Sequence, residues 1–82
     1  MQLFSYTYQR QAQDANLKHY TENGYNRYRI TLLNSAKLTI APVGIPGSSG
    51  MIWVQSYKPG EIVYPHDLIQ ALGDGIEDER FF

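Results

Sequence analysis

"LKHYTENGYNRYRITLL", residues 17–33, holds Asn23-Gly24 between two segments in which apolar and polar side chains alternate. Asparagine and glycine accept the positive φ of a type I′ turn, whose twist matches that of the strands it joins, so the stretch reads as a β-hairpin. A two-residue turn also fixes the register. His19 then faces Tyr28 and Leu17 faces Ile30 on one side, while Tyr20 meets Arg27 and Lys18 meets Arg29 on the other. The competing reading is a helix over residues 10–22 stopped by Gly24 at its C′ position.

Upstream, "QLFSYTY" (2–8) alternates Phe4, Tyr6 and Tyr8 against Leu3, Ser5 and Thr7, the pattern of a strand. "QRQAQDAN" (9–16) breaks it, and its lack of large apolar residues suggests a helical turn or a polar connection. Downstream, Tyr28, Ile30 and Leu32 share a face. After the turn at "NSA" (34–36), Leu38 and Ile40 continue that face on a strand expected to pair with the one before it. "MIWVQSY" (51–57) sets Ile52 and Val54 against Met51, Trp53, Gln55 and Tyr57; placing the aliphatic pair in the core leaves Trp53 and Tyr57 on the other face.

"KPGE" (58–61) has Pro59 and Gly60 where a type II turn prefers them, and "IVYP" (62–65) reads as a short last strand. Pro65 suits the start of a helix whose apolar stripe is Leu68, Ile69, Leu72 and Ile76. Gly73 and Gly75 each cost about 1 kcal/mol relative to alanine inside a helix, so the helix is expected to end at one of them. The fold class is α+β: one domain spanning residues 1–82, a hairpin-rich antiparallel sheet of four to six strands, and one C-terminal helix packed on it.

Eighty-two residues with 43% hydrophobic and 18% charged side chains are enough for a folded globule. A chain this short leaves little room for a large enclosed active site, which disfavours an enzyme. There is no cysteine, so disulfides and thiolate metal sites are excluded. No basic lead with an apolar run opens the chain, and nowhere do eighteen apolar residues run together, so the expectation is a soluble cytoplasmic protein that does not engage a membrane. The net charge of −1 hides an asymmetry. Residues 1–60 carry six Lys/Arg against two acids, and residues 61–82 carry one Arg against six acids.

The glycines of "PVGIPGSSGMIW" (42–53) invite comparison with a phosphate loop, but Met51 and Ile52 stand where Lys and Ser/Thr are needed, and the segment joins two strands. It reads as a mobile hairpin connection. Ser48, Ser49, His19, His66 and the carboxylates supply hydrolase residue types without a nucleophile elbow around either serine, which makes a small hydrolase the weakest reading. Two histidines without a second pair of ligands make a poor metal site, and the acids Asp74, Glu77, Asp78 and Glu79 lack a calcium-loop pattern. No catalytic residue, metal or cofactor is expected.

What remains is a mixed sheet face. Arg27, Arg29, Lys37, Trp53 and Tyr57, with Tyr20 beside them, combine cations with aromatic rings. That combination suits a larger protein or nucleoprotein partner, or alternatively single-stranded nucleic acid. The counter-reading puts Trp53 under the C-terminal helix as core. An accessory or inhibitory binding protein follows, with self-association open. The acidic C-terminal end, Asp74, Glu77, Asp78 and Glu79 with Phe81 and Phe82, is the alternative contact surface.

Overall fold

A computed structural model describes residues 2–47 and 51–79. Five strands, β1 (Gln2–Tyr8), β2 (Gln11–Glu22), β3 (Tyr25–Thr31), β4 (Lys37–Gly44) and β5 (Met51–Ser56), lie in chain order in one antiparallel sheet, followed by α1 (His66–Glu79). This is the expected α+β fold.

Asn23 and Gly24 take φ of 54° and 82°, as a type I′ turn requires. The β2–β3 register pairs His19 with Tyr28, Leu17 with Ile30, Tyr20 with Arg27 and Lys18 with Arg29, as the turn predicts. The competing helix over 10–22 does not form. Residues 11–16, expected to be a helical turn or a polar connection, instead extend β2 along the whole of β1. Two side-chain bonds support this polar stretch, Ser5 Oγ donating to Asp14 at 2.8 Å and the Tyr6 hydroxyl to Gln13 at 3.1 Å, while Ala15 leaves room opposite Phe4.

The β1–β2 connection is a second two-residue turn, with Gln9 and Arg10 at φ of 51° and 64°. Side chains bearing a Cβ pay about 1–2 kcal/mol each in that region, and glycine does not. Arg10→Gly is therefore expected to stabilise the protein by about 0.5–1 kcal/mol after allowing for glycine's freer unfolded chain, seen as a melting temperature a few degrees higher.

Gly60 takes φ of 92° and Glu61 N–H bonds the Lys58 carbonyl at 3.1 Å, which completes the expected type II turn. Residues 62–65 do not form the expected last strand. Instead the Gln55 side chain holds them, its Nε2 donating to the Ile62 carbonyl and its Oε1 accepting from Tyr64 N–H, both at 2.8 Å. One amide side chain does here what a ladder would have done, and Ile62 and Val63 stay exposed.

In β5 the observed faces are the reverse of those expected. Trp53, paired with Pro42, is fully buried, whereas Ile52 and Val54 point to the outside, about 40% exposed. The core gathers Phe4, Tyr6, Leu17, Tyr28, Ile30, Leu38, Ile40 and Trp53 against Ile69, Leu72 and Ile76 of α1. Leu32 and Leu68 pack at its margin.

The Pro65 carbonyl accepts the first N–H bonds of α1, from Leu68 and Ile69. Contrary to expectation, the helix runs through both glycines to Glu79. The reason is proximity. A Cβ on Gly73 would lie inside the Trp53 indole, and one on Gly75 would come within 2.6 Å of the Ser5 carbonyl oxygen. Packed this closely, α1 lies against β1, β5 and β4.

A basic and apolar outer face as candidate partner site

The face of the sheet turned away from α1 presents two adjoining fields. On β2 and β3, Lys18 stands opposite Arg29 and Tyr20 opposite Arg27; on β4, Lys37 stands opposite Thr31. Arg29 donates to Thr39 Oγ1 at 3.0 Å across the strand pair, which helps to bury Thr39. The Arg27 guanidinium lies 5.8 Å from the Tyr25 ring centroid and bonds the Asn26 carbonyl at 3.0 Å. These two contacts hold Arg27 against the sheet without neutralising it.

On β4 and β5 the outer field is aliphatic. Ala41 pairs with Val54 and Val43 with Ile52, and Val43 is 47% exposed. Tyr25, Arg27, Ala41, Pro42, Val43 and Val54 line an open cavity of about 520 Å³ here. A second, more polar cavity of about 390 Å³ adjoins it at Ser56, with Tyr20, Glu22, Arg29, Tyr57, Lys58 and Glu61 in its walls.

Of the five sequence-predicted contact residues, Arg27, Arg29 and Lys37 share this face, and exposed Tyr57 stands just beyond β5 beside it. Trp53 does not belong to it. Its indole Nε1 donates to Glu77 at 3.1 Å, its backbone N–H donates to Gln70 at 3.2 Å, and its ring meets Tyr28 edge-on at 5.4 Å. Sequence reasoning missed Lys18, Tyr25, Val43, Ile52 and Val54 as members of the face. The hairpin register had already set Lys18 against Arg29, and Tyr25 lies two residues from Arg27, so both could have been found there.

In the alternative acidic surface, Asp74, Asp78 and Glu79 are exposed on α1, but Asp74 accepts from Gln70 at 2.9 Å and Glu77 is occupied with Trp53. Phe81 and Phe82 lie outside the described residues, as do Ser48, Ser49 and Gly50 of the glycine-rich connection. Gly44 pairs with Met51, so that connection joins adjacent strands. Asp67 sits in the first turn of α1, accepting from Leu68 N–H and from the Tyr8 hydroxyl. Among the described residues no cluster of His, Asp and Glu could hold a metal ion, and no helix is long and apolar enough to cross a membrane.

Burial pushes the Tyr6 and Tyr28 phenols above their ordinary range, and partial burial together with the Asp67 carboxylate does the same for Tyr8. The fold thus favours the neutral phenols, and the stability they confer is complete below the unfolded value near about pH 10 and is lost as pH rises through the folded values. The Tyr28 hydroxyl is buried without a hydrogen-bond partner among the described residues. Tyr28→Phe is therefore expected to be neutral or slightly stabilising at pH 7, because it removes an unsatisfied group. It should also move alkaline unfolding, followed by far-ultraviolet circular dichroism, to higher pH.

No family model, curated protein or solved structure matches the chain.

Proposed function

We propose that the chain is a non-catalytic binding protein, a small cytoplasmic accessory or inhibitory factor that contacts a larger protein or nucleoprotein through the outer sheet face. The observation that carries this reading is the juxtaposition of Lys18, Arg27, Arg29 and Lys37 with Tyr25, Val43, Ile52 and Val54 on one surface. Arginine and tyrosine beside desolvated aliphatic side chains make the energetic centre of a protein interface. With Trp53 in the core and valine and isoleucine at the surface, the face has fewer flat rings on which bases could stack.

The second reading, a single-stranded nucleic-acid module, rests on the same four cations, and salt separates the two. Phosphate binding falls steeply with ionic strength because counterions are released, and binding through apolar anchors falls less. The deciding experiment is capture from an extract of the source cell, with and without nuclease. Nuclease-resistant capture is expected, lost in the Arg27→Glu/Arg29→Glu variant at an unchanged or slightly higher melting temperature. Amides at Asp74, Asp78 and Glu79 should leave capture intact. Loss in the amide variant with retention in the arginine variant would move the site to α1.

A further inference from the structure

The cations of the outer face are arranged at a cost to the sheet. Like charges directly opposed across a strand pair destabilise it, yet Lys18 and Arg29 are so opposed, Arg27 follows two residues along β3, and Lys37 stands diagonally across on β4. Among the described residues none of the four stands in an ion pair with an acid. Arg29 gives one N–H to Thr39 and Arg27 one to Asn26, and a guanidinium carries five. Glu22 and Glu61 line the neighbouring polar cavity together with Arg29, and among the described residues neither forms an ion pair with it.

One strand spacing of about 4.8 Å separates the β3 cations from the β4 wall of the aliphatic cavity, and two separate them from Val54. An extended segment rising about 3.3 Å per residue therefore spans both fields within three or four residues. We propose, resting on the reading of this face as the partner site, that its occupant is an acidic segment of the partner protein. Its carboxylates lie against Lys18, Arg27, Arg29 and Lys37, and one apolar side chain enters the cavity beside Val43 and Val54. The charge row selects the acids, and the cavity fixes their position.

The test is selection of random peptides displayed on phage against the whole protein, with oligothymidylate as a second probe. Enriched peptides are expected to carry two or more Asp or Glu within a few residues of Leu, Ile or Phe. Arg29→Glu should weaken the best of them by about tenfold or more without lowering the melting temperature, because the new carboxylate stands opposite Lys18. Val54→Asp should weaken it as well. Enriched peptides that lack acids but are still lost with Val54→Asp would overturn the acidic occupant and leave the face as the partner site. Peptides indifferent to both variants would overturn both readings. Failure to enrich any peptide, or oligothymidylate binding tighter than the best peptide, would overturn the proposal.

Discussion

Gly73→Ala is expected to abolish cooperative folding. The added methyl would occupy the space of the Trp53 indole, whose atoms are fully buried and cannot swing aside without leaving the core. Relief requires α1 to lift from β5, which would uncover Ile69, Leu72 and Ile76 together. Overpacking a core by one methyl ordinarily costs about 1–3 kcal/mol. Here the overlap is with a ring, and a domain of this size has about 5–10 kcal/mol in all. The gain of about 1 kcal/mol from alanine's helix propensity does not offset this. Gly44→Ala is the control: among the described residues nothing lies within reach of the new methyl and φ is not positive, so its melting curve should overlay that of the parent. A cooperative Gly73→Ala transition within a few degrees of the parent would show that α1 is not seated as described.

Trp53→Ala is expected to cost about 3–5 kcal/mol, the range for removing a large aromatic side chain from a core. Several losses coincide. The indole gives up its bond to Glu77, its edge-on contact with Tyr28 and its packing under α1, and Glu77 returns to solvent. Residues that share one space do not act additively. Gly73→Ala placed on the Trp53→Ala background should therefore cost far less than on the parent, because the methyl enters the cavity left by the ring. Chemical denaturation checks this: the double variant is expected to unfold cooperatively at a midpoint near that of Trp53→Ala, although Gly73→Ala alone gives no cooperative transition. A double variant without a cooperative transition would mean that Gly73 and Trp53 do not touch.

The hairpin was legible because Asn23-Gly24 carries its own geometry, and a two-residue turn leaves one register. The same turn at Gln9-Arg10 was not legible, since neither residue announces a positive φ. The strand beyond it, Gln11–Asn16, is held by cross-strand hydrogen bonds that composition does not reveal. In β5 both faces are apolar, Met51 and Trp53 against Ile52 and Val54. Continuity of aliphatic residues pointed one way, whereas the volume of the indole and the room opened by Gly73 decide the other. Helix propensity read Gly73 and Gly75 as stops because their purpose lies in β5 and β1, far away in sequence. For the outer face, the cationic row followed from the hairpin register, and the aliphatic cavity beside it was hidden by the β5 reversal.

The seat of α1 also settles how this sheet can be approached. An antiparallel sheet that does not close has two edges, and each is a row of amides and carbonyls open to another strand. Along β5, Gln70 occupies the Trp53 amide and Gln55 straps residues 62–64 alongside. Along β1, Gly75 brings the helix backbone down onto the Ser5 carbonyl. A strand offered from outside would have to evict the helix or the strap before it could pair. Strand addition, whether by a partner or by further copies of the chain in a growing fibre, is obstructed along β1 by the helix and along β5 by the helix and the strap together.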